Sequence, residues 1–185
     1  MAAHSILWRR FDLPGHEVCR MMRTRSSLEL DGVVVFGYRK GLCALSYSVD
    51  ADGAGRTRRA RVQGRVGRKA VDLKIECDRA RRWKLNGRPC PDVEGCEDVD
   101  LNFSPSTNTL PILRLKLATG KSAPVSAAWL KFPDFKLRRL DQTYERLGRL
   151  RYRYTSSSGF TAPMEVNRAG LVTKYGNIWK AVRKS

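Results

Sequence analysis

The chain has 185 residues, 42% of them hydrophobic, and its 36 lysines and arginines against 18 aspartates and glutamates give a formal net charge of +18. This length suits one substantial core, so we predict a single domain over residues 1–185. The sequence contains no run of eighteen apolar residues, and the apolar stretch Ile6-Leu7-Trp8 is too short for a signal peptide, so we expect a cytoplasmic protein without a membrane-spanning helix.

In the first half of the chain, apolar and polar residues alternate as they do in β-strands. Apolar residues on both sides of Asp31-Gly32 predict a hairpin with its turn at this dipeptide, because Asp-Gly accepts the positive φ of a type I′ turn. Segment 72–77 alternates apolar and charged residues, and Asn86-Gly87 is a second turn signal. Further turns are predicted at 52–55, 119–120 and 156–159, at the spacing of a sandwich or barrel.

Arginines are concentrated in three stretches, 56–69, 79–84 and 146–153. Within 59–63 and 151–154 they alternate with apolar or aromatic residues, which is typical of the solvated face of a half-buried strand. The charge equally fits a surface that binds nucleic acid or an anionic membrane. Five cysteines, an odd number without a CxxC motif, predict reduced thiols and no metal site.

The central block 95–115 is the densest cluster of polar groups. Asp98 and Asp100 are predicted on one face of a strand, where they would support acid/base chemistry, bind a cation or accept hydrogen bonds from sugar hydroxyls, or else serve as a structural pair. Thr107-Asn108-Thr109 lies between two prolines, which predicts a rigid polar loop with either a structural or a ligand-binding role. Segment 112–117 alternates as a strand, and an inward Arg114 would need Asp98 or Asp100 as its partner.

The C-terminal part continues the strand pattern. Inward and outward side chains alternate over residues 128–132, as in a strand. Residues 137–147 fit both the apolar face of a helix and a strand, so the residues alone leave both structures open for this segment. The aromatic residues with flat faces for sugar stacking or core packing are Trp83, Trp129, Tyr144, Tyr152, Tyr154 and Phe160. The sequence has no phosphate-binding glycine loop and no catalytic triad motif, so we predict no cofactor. The whole pattern predicts a mainly all-β, largely antiparallel domain.

These residues resemble the putative glycolipid-binding protein family. The resemblance extends over nearly the whole chain and is carried by Trp8, Gly15, Glu17, Tyr47, Asp50, Trp83, the block 95–115, Pro133, Gln142, Tyr144, Tyr152, Tyr154, Phe160, Gly170-Leu171-Val172 and Tyr175. It implies a curved, barrel-like antiparallel sheet with little helix, similar to bacterial lipoprotein carriers, and it favours the strand over residues 137–147. Such a sheet can wrap an apolar cavity.

Three functional hypotheses follow. The preferred one is non-enzymatic binding of an amphipathic ligand such as a glycolipid in an apolar cavity of the barrel-like domain, with the basic exterior docking on anionic lipid. The residues predicted to form its site are Asp98, Asp100, Thr107, Asn108, Thr109, Arg114, Trp129, Gln142, Tyr144 and Tyr152. The alternatives are binding of nucleic acid or another anionic surface through the arginine-rich strands, and a sugar- or lipid-directed enzyme that uses Asp98 and Asp100.

Overall fold

A computed structural model describes residues 2–184 and shows a mostly β protein, in which fifteen strands form one curved sheet that does not close into a barrel. In chain order the strands are Ala2–Arg10 (β1), Gly15–Arg23 (β2), Ser27–Tyr38 (β3), Gly41–Asp52 (β4), Thr57–Val66 (β5), Lys69–Cys77 (β6), Trp83–Leu85 (β7), Arg88–Pro89 (β8), Asp98–Leu101 (β9), Ser122–Lys131 (β10), Lys136–Gly148 (β11), Arg151–Ser156 (β12), Thr161–Val166 (β13), Val172–Tyr175 (β14) and Trp179–Lys184 (β15). The prediction of an all-β, barrel-like fold is confirmed.

The order of strands across the sheet is β8-β7-β6-β5-β4-β3-β2-β1-β15-β14-β13-β12-β11-β10-β9. The pairing of β1 with β15 therefore joins the N-terminal and C-terminal runs of hairpins into one sheet. All of these pairs are antiparallel except β9 with β10, where Asp98 to Leu101 run parallel to Ala127 to Leu130. This exception arises because β9 reaches β10 through helical turns rather than through a tight hairpin.

The concave side of the sheet is filled by side chains. Alternate residues of β1–β6 point inward and bury large groups that include Trp8, Leu30 and Ile75, and Trp83 on β7 adds a further indole. The indole N–H of Trp8 donates to the carbonyl oxygen of Val172 at 2.7 Å. The inside of the sheet is thus packed by a hydrophobic core where we had expected an apolar cavity.

The described residues contain one α-helix, Thr109–Leu115 (α1), which continues directly from a 3₁₀ turn at Ser106–Asn108 and lies close to Gly55 and Gly170. A second 3₁₀ turn covers Pro91–Val93. Gly170, at φ +87°, lies where a Cβ atom would come within 2.8 Å of the Leu113 side chain. A glycine is needed there both for its backbone conformation and for the close approach of the helix.

The structure corrects the strand predicted at 112–117 and the loop predicted at 107–109. Leu110, Leu113 and Leu117 also have the spacing of a helical face. In so short a run the leucines match both the helical and the strand period, so tertiary packing determines which structure forms. Pro111 is the third residue of α1, in the first turn, where a backbone N–H has no partner within the helix. The two prolines therefore do not exclude helical structure.

The turn predicted at Asp31-Gly32 is also wrong, because β3 runs without interruption from Ser27 to Tyr38. Gly32 pairs with Tyr47, and a Cβ atom on Gly32 would lie 2.4 Å from the ring of that tyrosine. The glycine marks a close approach of a side chain to the backbone and not a turn.

Other predictions are confirmed. Asn86 and Gly87, both at positive φ, form the turn between β7 and β8. Residues 137–147 lie in strand β11, as the family resemblance implied. Four of the five cysteines are buried, and Cys90 is half-buried.

Candidate functional site

A cleft of about 270 Å³ lies beside the turns that join β1 to β2, β12 to β13, and β14 to β15. Its aromatic lining consists of Trp129, Tyr154, Phe160, Tyr175 and Trp179. Its polar lining consists of Arg10, Asp12, Asp100, Asn102, Ser104, Asn108, Ser156 and Ser158. Flat apolar faces and hydrogen-bonding groups thus share one concave surface, an arrangement that can bind a small polar ring.

Asp100 connects the cleft to the sheet. The parallel register of β9 and β10 sets Asp100 opposite Trp129, so a carboxylate and an indole meet at the wall of the cleft. Its Oδ2 accepts a hydrogen bond from Nε2 of Gln142 at 2.6 Å. Burial raises the pKa of Asp100 to about 6, while the bond from Gln142 opposes the rise. The side chain is therefore mostly ionised at neutral pH and can accept hydrogen bonds from hydroxyl groups.

Asn108 is held by a buried network behind the cleft. The hydroxyl of Tyr144 donates to Oδ1 of Asn108 at 2.7 Å, and Nδ2 of Asn108 donates to the carbonyl oxygen of Pro105 at 3.1 Å. Tyr144 also lies 3.4 Å from Oε1 of Gln142, which joins this network to Asp100. The amide is thus fixed in orientation at the point where it lines the cleft.

Asp98 and Arg114 form a buried ion pair. The two terminal guanidinium nitrogens of Arg114, Nη1 and Nη2, donate to the Asp98 carboxylate, the second at 2.6 Å. The side chains are 3% and 12% exposed, respectively. Burial raises the pKa of Asp98, and Arg114 opposes that rise. The prediction that an inward Arg114 pairs with Asp98 or Asp100 is confirmed, and the bidentate geometry joins α1 to β9.

A third buried carboxyl group, Glu17 on β2, lies next to the cleft. Its Oε1 accepts hydrogen bonds from the hydroxyls of Tyr47 and Ser104, each at 2.5 Å, and Ser104 itself lines the cleft. Within residues 2–184, Oε2 of Glu17 has no hydrogen-bond partner. Burial raises the pKa of Glu17 to about 8, against weaker lowering by Ser104, Tyr47 and Arg10.

The remaining predicted site residues lie away from the cleft surface. Thr107 accepts a hydrogen bond from the backbone N–H of Leu101 at 3.3 Å, and Thr109 is fully buried at the start of α1. Tyr152 packs in a small apolar cluster with Val125 and Met164. Of the ten predicted residues, three line the cleft, namely Asp100, Asn108 and Trp129. Behind the cleft, Gln142 holds Asp100 and Tyr144 holds Asn108, whereas Asp98 pairs with Arg114.

Sequence reasoning missed several residues of this region. Glu17 lies on the buried face of β2 together with Cys19 and Met21. A carboxyl group among the apolar residues of a buried strand face is the signal that would have identified it. Trp179 and Arg10 come from the two ends of the chain and meet because β1 pairs with β15. No local motif predicts that contact.

Within residues 2–184, no group of three or more histidines, cysteines, aspartates or glutamates is placed to hold a metal ion. In the same range, no helix has the length and apolar character needed to cross a membrane.

A family model described as "Putative glycolipid-binding" matches residues 5–181 of the chain. Among solved structures, the chain is similar to the 1.80 Å crystal structure of a DUF1089 family protein from Pseudomonas aeruginosa. The two share 28% sequence identity with a TM-score of 0.72, over 86% of this chain and 89% of that chain. None of the curated proteins gives a significant match.

Proposed function

We propose that this chain, which belongs to the putative glycolipid-binding family, holds the sugar headgroup of a glycolipid in the cleft beside Asp100 and Trp129, without chemical change to the ligand. The observation that carries the proposal is that aromatic faces and fixed polar groups line the same cleft. Indole and phenol rings pack on the apolar face of a sugar, while carboxylate and amide groups bind its hydroxyls.

The size of the cleft indicates how much of a glycolipid it can hold. Pockets for drug-sized ligands span about 300–1,000 Å³, and the cleft, at about 270 Å³, lies just below that range. It suits one small polar ring and not two acyl chains. Because the concave side of the sheet is packed, the acyl chains of a bound glycolipid would stay outside the protein.

The other two hypotheses have less support. An enzyme that uses both Asp98 and Asp100 would need both carboxylates at the ligand, whereas Asp98 is engaged by Arg114 and does not line the cleft. Binding of nucleic acid would use the arginine-rich strands, but Arg59 and Arg61 pair with carboxylates of adjacent strands. Each such pair reduces the positive field that a polyanion would meet.

The test uses octyl glucoside as a sugar-headed probe and octyl tetraethylene glycol ether as a matched amphiphile without sugar, both below their micelle concentrations. Tryptophan fluorescence reports binding, because Trp129 and Trp179 line the cleft. We expect a saturable signal with the glucoside and none with the ether. Equal binding of the two probes would refute sugar recognition.

Two variants assign the binding to the cleft. Asp100→Asn removes the carboxylate and Trp129→Ala removes the indole, and each is expected to weaken glucoside binding by about tenfold. Asp72→Asn, on the exposed face of β6, and Phe11→Ala, an exposed aromatic side chain outside the cleft lining, are the matched controls. Wild-type binding should weaken below pH 6 as Asp100 is protonated. Unchanged binding by both cleft variants would place the ligand elsewhere.

A further inference from the structure

The outer face of strands β1–β4 carries a row of apolar side chains that no other described element covers. Leu7, Val18 and Val33 are directly opposite one another across three neighbouring strands, and Val35 is opposite Ala44. Val18 and Val33 are each 48% exposed. We call this set the outer apolar patch, and its members are Leu7, Val18, Val33, Val35, Leu42 and Ala44. Contiguous exposed apolar surface of this kind is typical of an interaction site.

The patch ends at Leu42, the most exposed of its side chains. Leu42 is 77% exposed and follows the turn between β3 and β4. Its carbonyl oxygen accepts a hydrogen bond from the N–H of Gly67 at 2.8 Å, which holds the turn between β5 and β6 beside it. Two adjacent turns thus present a leucine at the end of the sheet.

These two turns are strongly basic. The exposed basic residues in them are Arg39, Lys40, Arg65, Arg68 and Lys69. Neither 37–44 nor 65–70 contains an aspartate or glutamate. At the opposite border of the patch, Asp31 is opposite Arg20 across the β2–β3 pair. An apolar surface that ends in a cluster of cations matches the interface of a membrane with anionic lipids.

We propose that the outer apolar patch and its basic turns dock the protein on an anionic lipid surface, with Leu42 inserted among the acyl chains. A second copy of the chain is the less favourable occupant, because it would bring two sets of these cations together in a protein of formal net charge +18. Nucleic acid would use the cations, but branched aliphatic side chains offer no surface on which bases stack.

The docking surface lies at the same end of the sheet as the cleft. The N–H of Gly37, just before the basic turn, donates to the carbonyl oxygen of Pro14 in the β1–β2 turn. That turn also provides Asp12 to the cleft lining. A docked protein would therefore hold the cleft near lipid headgroups, although docking itself does not require the cleft to bind a sugar.

The test measures cosedimentation of the protein with phosphatidylcholine vesicles, with and without phosphatidylserine and free of glycolipid. We expect binding only to vesicles that contain phosphatidylserine, weakened by salt. Leu42→Asp should reduce this binding about tenfold or more. Leu147→Asp is the control, because Leu147 is also an exposed leucine, at 39%, on β11 outside the patch. Urea unfolding verifies that both variants fold.

Two double variants distinguish the effect of the basic turns from the effect of the net charge of the protein. Lys40→Glu with Arg68→Glu changes the basic turns, and Arg79→Glu with Arg138→Glu makes the same change in net charge at exposed sites elsewhere. The first double variant should reduce vesicle binding about a hundredfold, and the second much less. Because the vesicles contain no sugar lipid, failure here would leave the proposed sugar binding standing.

Several results would overturn the docking proposal. One is equal vesicle binding by Leu42→Asp and the wild type, and another is an equal loss of binding in the two double variants. A concentration-dependent dimer that Leu42→Asp dissociates, seen by sedimentation equilibrium without vesicles, would assign the patch to a second copy. Duplex DNA binding that is lost in the Lys40/Arg68 variant and kept in Leu42→Asp, in a protein that does not bind vesicles, would assign the turns to nucleic acid.

Discussion

The buried carboxyl group of Glu17 should make the stability of the protein fall as the pH rises through neutrality. The pKa of Glu17 is raised from its ordinary value of 4.5 to about 8, first of all by burial. Between these two values the folded protein keeps a proton that the unfolded chain has released. The folded state is therefore favoured most below pH 4.5, and this advantage is lost as the pH rises toward 8.

The perturbation is Glu17→Gln, which replaces the protonated acid with an amide of the same shape. Its carbonyl oxygen can still accept the bonds that Tyr47 and Ser104 donate to Oε1. Each pH unit within the window corresponds to about 1.4 kcal/mol. Between about pH 5.5 and 7.5, the stability of the variant relative to the wild type should therefore increase by roughly 2–3 kcal/mol.

Urea unfolding of both proteins at the two pH values measures this difference. Glu94→Gln, which removes a carboxylate from an exposed position, is the matched control. If Glu17→Gln and the wild type have parallel pH dependences, Glu17 does not hold its proton in the folded state and the reasoning is wrong. A variant much less stable than the wild type at both pH values would also contradict it, because the amide would then have failed to replace the acid.

Three further predictions test the packing around the site. Arg114→Leu should reduce the free energy of unfolding by about 3–5 kcal/mol because it leaves the buried Asp98 carboxylate unpaired; adding Asp98→Asn should recover part of this loss in urea unfolding, and no recovery would contradict the pairing. Gly32→Ala should cost about 1–3 kcal/mol, since its Cβ would lie 2.4 Å from the Tyr47 ring, and a thermal midpoint equal to that of the wild type would refute the close approach. Among the thiols, Cys90 is the one that is only half-buried, so a thiol reagent should label it first in the folded protein, as peptide mass mapping would show, and faster labelling elsewhere would contradict this order.

Local patterns predicted strands such as β3 and β6 well because one face of each is buried and the other is largely exposed. Alternation identified β6 and β9, and it placed Asp98 and Asp100 two residues apart on one strand. The pairing of Arg114 with one of the two aspartates, Asp98 or Asp100, could be predicted because an inward guanidinium must find an anion. These predictions depend on short-range chemistry, which the sequence contains.

The errors have a common physical origin in contacts between distant segments. Asp31-Gly32 has the composition of a turn, yet Gly32 is there because Tyr47, from the next strand, needs the space. Likewise α1 forms in a run whose spacing also fits a strand, and its close approach to Gly170 decides between the two. The cleft itself unites residues of β1, β9, β10 and β15, so only the order of strands across the sheet reveals it.

The open sheet has two free edges, and the structure of each discourages association with other chains. One edge is β8, which is two residues long and ends at Pro89, a residue without a backbone N–H to offer. The other edge is β9, next to which the guanidinium of Arg81 donates to the carbonyl oxygens of Thr57, Cys96 and Glu97. The N–H of Val99 on this edge donates to the Thr57 hydroxyl. At the β9 edge, side chains thus occupy backbone groups that would otherwise template edge-to-edge aggregation, and at the β8 edge the shortness of the strand and its proline have the same effect. The protein can therefore keep a fifteen-stranded sheet open without the closure that protects a barrel.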